Sequence, residues 1–503
     1  MMDITAPRGG RLRYRSVAVA GVLVAVVGVA VGVGGKMLFV AVAVVLLPFT
    51  SLLIDNALRG VRGRAGILTI EVPLVLLLFS DTTFRVRTTE QLSNNPFDTA
   101  GIIRAAAQAV AMFLALVALM SPGERERGGR PTTRPFRIYC AYAVAATAGI
   151  ATSAFPILTA YRVFELIAAI AVIGAALHSY GSAALPRIER TLYWWLALTV
   201  IVCWVNAVIA PHSAIIHPRN SPIPWQLQPV FPVIPANTVG FLGVCLAFWS
   251  GARLLAPRRS DFPGPRVLKA FTAFGVITLV AAQYRTGYVA LAAGTVVVLA
   301  LRGRKILVTA AVIAGIVLAM WGPRVTTAAE SIALRGAKTN ELGQLNGRVN
   351  WWSLALPVWH TSPIIGRGVL TGTRLALQSG GFGDTNTIHS TWVETVVGTG
   401  IVGTALLSLA LLVAMRRGWR LARRGDVVPL LLLIAITVRS ITGNTIESYR
   451  IATLFFLWAI LCLTDWISAR DGPARGARPT LQADGFNHAS TTLMDPHETR
   501  WSK

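Results

Sequence analysis

Apolar runs close to the roughly 20 residues that cross a bilayer as a helix recur from one end of this chain to the other. They read as candidate spans at 17–33, 37–54, 66–80, 101–120, 138–155, 157–177, 193–210, 237–254, 267–283, 286–301, 306–322, 390–415, 427–442 and 450–466. The runs do not alternate apolar with polar residues, as the strands of a membrane barrel would. A chain so patterned is expected to be all-α, a polytopic bundle of about 12–14 spans with one large extracytoplasmic loop. The weakest span is 66–80, which is short and carries Glu71 and Pro73.

Only 14% of the 503 residues are charged, against about 25% in soluble domains. The net charge of +25 does not indicate nucleic acid, because basic residues collect in the cytoplasmic loops of membrane proteins. Cys140, Cys203, Cys245 and Cys462 all fall inside apolar runs and none pairs at CxxC spacing. Neither a disulfide framework nor a cysteine zinc site is indicated. Arg11, Arg13 and Arg15 precede the first run, but another run follows at once without a convincing cleavage site. That run reads as a retained anchor.

Alternate loops are rich in arginine, among them 55–65 (Arg59, Arg62, Arg64) and 121–137 (Arg125, Arg127, Arg130, Arg134, Arg137). The bias predicts both termini in the cytoplasm. Residues 1–16 are then a cytoplasmic N-terminus, 17–466 the membrane domain, and 467–503 a polar, disordered cytoplasmic tail. Five polar segments face outward: 81–100, 211–236, 283–287, 323–389 and 443–449. The prolines of 211–236 exclude a regular helix there. In 346–360, Trp351, Trp352 and Trp359 crowd beside Arg348. That segment reads as a helix at the membrane interface, where tryptophan is favoured.

The outer side holds the chemistry. Arg285, in Gln283-Tyr284-Arg285-Thr286-Gly287, is either a residue that snorkels to the surface or an anion ligand. A guanidinium meets phosphate oxygens with a planar fork, and near lipid the low dielectric strengthens the attraction. Arg348 is a loop charge or a second anion ligand. His389, opening the span 390–415, is an interfacial hydrogen-bond donor or a general base or phosphate ligand. A metal site is a poor alternative: Glu394 lies five residues from His389, and His212, His217 and His360 are scattered. In Gly398-Thr399-Gly400-Ile401-Val402-Gly403 the glycines read as close packing against a neighbouring helix. Arg374, in the same outer loop, is expected to tolerate alanine.

Taken in order, Tyr284-Arg285-Thr286-Gly287, Arg348-Val349-Asn350-Trp351-Trp352, Gly366-Arg367-Gly368, His389 and Gly400-Ile401-Val402-Gly403 resemble the O-antigen ligase and polymerase superfamily over about 267–420. The family commonly has asparagine after the histidine, where Ser390 stands here, and its ligases usually have a dozen spans. The resemblance implies glycosyl transfer on the outer face of the bacterial cytoplasmic (inner) membrane. The donor would be a polyprenyl-pyrophosphate-linked glycan; the acceptor would be a lipid, a protein or another lipid-linked repeat. By the same analogy Arg285, Arg348 and His389 are catalytic, and Arg367, Trp351 and Trp352 contact pyrophosphate or glycan. No metal, cofactor, nucleotide sugar or nucleic acid is implied.

Two other classes compete. A transporter or flippase of a glycolipid or small anion would carry ionisable residues near the bilayer midplane, and few are evident: Glu71, Glu165 and Arg439. A glycosyltransferase using polyprenyl-monophosphate sugars would place carboxylates in its first outer loop. Here that loop is Gly34-Gly35-Lys36, with Asp81 in the next.

Overall fold

A computed structural model describes residues 70–81, 99–120, 133–217, 223–230, 232–256, 262–303, 309, 348–381 and 387–463. All belong to one of the two units into which the chain divides, Met1–Thr464. The expected spans 17–33, 37–54 and 306–322, the N-terminus 1–16, most of the first half of the outer loop and the tail 467–503 lie outside the described residues.

Every other expected span is a helix. In order they are α1 (Val72–Asp81), α2 (Thr99–Met120), α3 (Arg134–Thr152), α4 (Pro156–Tyr180), α5 (Ala184–Ile209), α6 (Pro211–Ala214), α7 (Ala236–Leu255), α8 (Pro265–Ala282), α9 (Arg285–Arg302), α10 (Arg348–His360), α11 (Thr371–Ser379), α12 (Thr391–Arg423), α13 (Val428–Thr442) and α14 (Ile451–Cys462). The proline-rich segment after α5 holds one helical turn, α6, and a two-stranded ribbon, β1 (Ile215–Ile216) and β2 (Gln226–Leu227). Ile215 pairs with Leu227 and Ile216 with Gln226. The fold is all-α.

Among the described residues, six stretches are long and apolar enough to cross a membrane: residues of α2, α7, α8, α9, α12 and the run Pro156–Ile209. That run is α4 and α5, broken at Gly181, where φ is +53°. The chain is a multi-pass membrane protein. Its helices knit through large aromatic side chains: Trp249 of α7 stacks on Trp458 of α14 at 4.9 Å and meets Phe455 edge-on at 5.6 Å.

Two features depart from expectation. The outer segment 443–449 is not a solvated loop, since Thr445, Ile446, Glu447, Ser448 and Tyr449 are all buried. Buried irregular backbone is tolerated where protein satisfies its polar groups, and several are satisfied here. Tyr139 and Tyr142 of α3 donate to the carbonyls of Ile446 and Glu447, at 2.7 and 2.6 Å. Thr391 Oγ1 donates to Glu447 Oε2 at 2.7 Å. Arg374 is likewise buried, 4% exposed in α11, so the expectation that it tolerates alanine does not stand.

Charge inside the spans is also more abundant than the sequence reading credited. Arg104 of α2 and Arg162 of α4 both pair with Glu165, each at 2.8 Å. Arg187 of α5 reaches Glu71 at 2.8 Å with both ends of its fork. Arg253 of α7 pairs with Glu189.

Candidate functional site: an arginine cluster around His389

The break in α12 builds the floor of the site. Gly400 sits at φ 65°, ψ −165°, which interrupts the helix and frees backbone groups that cannot remain unpaired in a membrane. The segment 363–368 takes them. Arg367 N donates to Val397 O at 2.8 Å and Gly368 N to Gly398 O at 2.9 Å. In return Ile401 N donates to Pro363 O at 2.9 Å. A Cβ on Gly366 would collide with the backbone of Gly398. The Gly-Arg-Gly motif is thus a patch over a broken helix: Gly398 and Gly400 pack closely against residues 364–369, which are not a helix, while Gly403 faces Thr399 of its own helix.

Arg367 is occupied by this scaffold. Its Nε donates to Thr361 Oγ1 at 2.7 Å and its Nη1 to Thr152 O at 3.2 Å.

Above this floor, three distant stretches are tied to one point. α10 docks on the turn before α12: Trp352 Nε1 donates to Ile388 O at 3.3 Å, and the Trp351 ring lies 5.9 Å from the His389 ring. One face of α10 therefore rests on protein, around Ala355, Leu377, Ile388 and Val397, while Val349 and Leu356 stay exposed. The end of α13 binds the same turn, with Gly443 O accepting from Thr391 N at 3.1 Å. It also binds the start of α9, where Thr286 and Thr442 hydroxyls meet at 2.8 Å. Arg285, Arg348 and His389 are so brought together from three separate parts of the chain.

His389 has a left-handed backbone, φ 57°. For a residue with a side chain this conformation persists only where the surroundings impose it, at a cost of roughly 1–3 kcal/mol. Glu394 imposes it. Its Oε1 accepts from Ile388 N at 3.0 Å and its Oε2 from Thr373 Oγ1 at 2.5 Å. Ser390 caps α12 by accepting from Val393 N at 3.5 Å. The ring is anchored at Nδ1, 3.3 Å from Thr387 Oγ1.

The electrostatics are one-sided. Burial and then the fields of Arg348, Arg439 and Arg450 hold the imidazole down at about 4, so it is neutral at physiological pH. Burial, with repulsion from Arg285 and Arg439, pushes Arg348 below its ordinary value. The Nε of Arg285 is buried without a partner. Among the described residues no carboxylate pairs with Arg285, Arg348 or Arg439.

Helix polarity sharpens the point. Arg285 opens α9, Arg348 opens α10, and His389 immediately precedes α12. A helix N-terminus is the positive end of its dipole, and a cation there is disfavoured by about 0.3–1 kcal/mol. Two arginines at two helix starts, with no acid in either first turn, have no anion beside them among the described residues. Asp81, by contrast, ends α1, and its Oδ2 accepts from Ile451 N at 2.8 Å.

Residues 270–408 match the family model described as O-antigen ligase. This stretch of the chain falls in the O-antigen ligase superfamily. The ligase-like region contains Arg285, Arg348, Trp351, Trp352, Arg367 and His389 but ends before Arg439. No curated protein sequence matches the chain. The superfamily supports glycan transfer of the O-antigen ligase kind, with a lipid-linked glycan donor and an acceptor in the membrane.

Proposed function

We propose that the protein transfers a glycan from a polyprenyl-pyrophosphate carrier to an acceptor hydroxyl at the outer face of a bacterial cytoplasmic membrane. The observation that carries this reading is a set of arginines without carboxylate partners among the described residues, gathered at helix starts around a neutral histidine. In this reading 17–466 is the membrane domain, 323–389 is an extracytoplasmic loop, and both termini are cytoplasmic.

Arg285 and Arg348 grip the pyrophosphate with their forks. The acceptor oxygen bonds to the anomeric carbon as the bond from that carbon to the pyrophosphate oxygen breaks. The electron pair leaves with the polyprenyl pyrophosphate, where the arginines stabilise the new charge. The hydroxyl proton passes to Nε2 of His389, the nitrogen left free when Nδ1–H faces Thr387. Trp351 and Trp352 hold the His389 turn and offer ring faces to sugar.

Deletion of the protein followed by analysis of envelope glycans tests the reading. Long lipid-linked glycan that fails to reach its acceptor indicates a ligase, and single lipid-linked repeats indicate a polymerase. Unchanged glycans with altered solute uptake would contradict transfer and support a transporter.

A further inference from the structure

The superfamily match stops at residue 408, yet the anion site does not. Arg439 lies a turn before the end of α13, the hub that ties the Arg285 turn through Thr442 and the His389 turn through Gly443. Its guanidinium is held from several sides. Nη1 donates to Asn237 O and Nη2 to Thr238 Oγ1, both at 3.0 Å. The Phe241 ring lies 4.5 Å away and the Tyr284 ring 6.0 Å away. Tyr284 directly precedes Arg285. These partners are all neutral. They fix the charge in place without cancelling it, which makes Arg439 a fixed positive pole rather than a mobile ligand.

We propose that Arg439 is a positioning residue of the same anion site: a third cation that acts through its field and fits the site to the leaving pyrophosphate rather than to the donor. The inference rests on the proposed donor class. A sugar diphosphate diester carries about two negative charges. Cleavage at the sugar carbon turns its outer phosphate into a monoester, which gains most of a third, since the second ionisation of such a group lies near pH 6. Two guanidinium ions match the donor. A third cation strengthens its pull as the bond breaks, so its contribution appears mainly in the transition state. The other charged groups around His389 are Arg348 of α10 and Arg450 before α14. Glu394 and Glu447 are engaged by backbone N–H and hydroxyl donors.

The role predicts that charge matters at this position and the fork does not. Arg439→Lys keeps the charge and should retain transfer within about threefold of wild type. Arg439→Gln keeps a donor for Asn237 and should lower kcat roughly tenfold with KM for donor little changed. Titration with farnesyl pyrophosphate and farnesyl monophosphate reads the same effect without turnover: Arg439→Gln should lose most of the preference for pyrophosphate. The glutamine variant should also let His389 react with diethyl pyrocarbonate at a lower rate in mild acid, because removing a cation raises the imidazole. Equal losses in the lysine and glutamine variants, at unchanged thermal stability, would mean that the role is structural. A glutamine variant with wild-type kcat, pyrophosphate preference and His389 titration would overturn the proposal. Wild-type protein with no preference for pyrophosphate, but with His389 still shifted by Arg439→Gln, would sink the donor class and leave the third cation standing.

Discussion

Two arginine clusters in this bundle are built on different principles. In the first, Arg104 and Arg162 converge on Glu165, which is fully buried and also accepts from Gln108 at 2.9 Å. Arg450 stands beside Asp81 at 3.9 Å. In the second, Arg285, Arg348 and Arg439 surround His389 with no carboxylate partner among the described residues. Bringing charge into a low-dielectric interior costs several kcal/mol per ion unless a partner offsets it. The first cluster holds carboxylates among its own residues, as a scaffold would. The second has none among the described residues, which is why it is proposed as the anion site. The contrast also bears on transport: the charges buried within α2 and α4 are locally paired, not strung along a path.

The largest expected effect falls on the scaffold. Glu165→Ala strands two buried arginines, and breaking such a pair costs about 3–5 kcal/mol. Thermal unfolding in detergent should show a large loss of stability and yield should fall, while activity per folded molecule changes little. A variant that folded normally yet lost transfer would merge the two clusters into one site.

His389→Ala reverses the pattern. General-base catalysis is worth about 10²–10⁴-fold, so transfer should fall by that order while stability changes little, since alanine keeps a Cβ on the same left-handed backbone. Full transfer with normal insertion would send the search for the base elsewhere.

The smallest effect lies in the pH profile. The free histidine is held near 4, so kcat/KM for donor should show no acid limb from this group between about pH 5 and 7. A bound pyrophosphate offsets the arginines and raises the imidazole, so the acid limb of kcat should lie at higher pH than that of kcat/KM. The sign for stability follows from the same depression. Between about 4 and 6.5 the unfolded chain binds more protons than the folded one, so this group destabilises the fold as pH drops through that window. Coincident acid limbs would mean that the bound anion does not face His389.

How much of this was legible in the sequence follows from the reach of each interaction. Helices announce themselves through runs of neighbouring residues, and Arg285, Arg348 and His389 stand out because polar boundaries frame them. Arg104 and Arg162 did not stand out, because one arginine hardly dents an apolar run and their partner Glu165 sits 61 residues from Arg104. Arg439 read as a midplane charge because nothing nearby in sequence reveals that α13 ends against the starts of α9 and α12. The burial of 443–449 was hidden for a similar reason: the Glu447 carboxylate accepts from Thr391, and the carbonyls of Ile446 and Glu447 accept from Tyr139 and Tyr142, all far along the chain. The Gly-Arg-Gly motif was visible, but its work depends on the break at Gly400, which only the backbone shows.

The central claim is that a pyrophosphate pairs with Arg285 and Arg348, which have no carboxylate partner among the described residues. It is tested most directly by transfer rates in proteoliposomes supplied with lipid-linked donor, for Arg285→Lys and Arg348→Lys at equal protein abundance. The exposed Arg424, at the far end of α12, serves as the alanine control. Lysine preserves charge but not the bidentate fork, and charge-assisted bonds of this kind are worth about 1.5–3 kcal/mol. Each lysine variant should therefore be slowed roughly ten- to hundredfold, the alanine variants should be nearly inactive, and Arg424→Ala should match wild type. Lysine and alanine variants of both residues that transfer glycan as fast as the Arg424→Ala control would contradict the account.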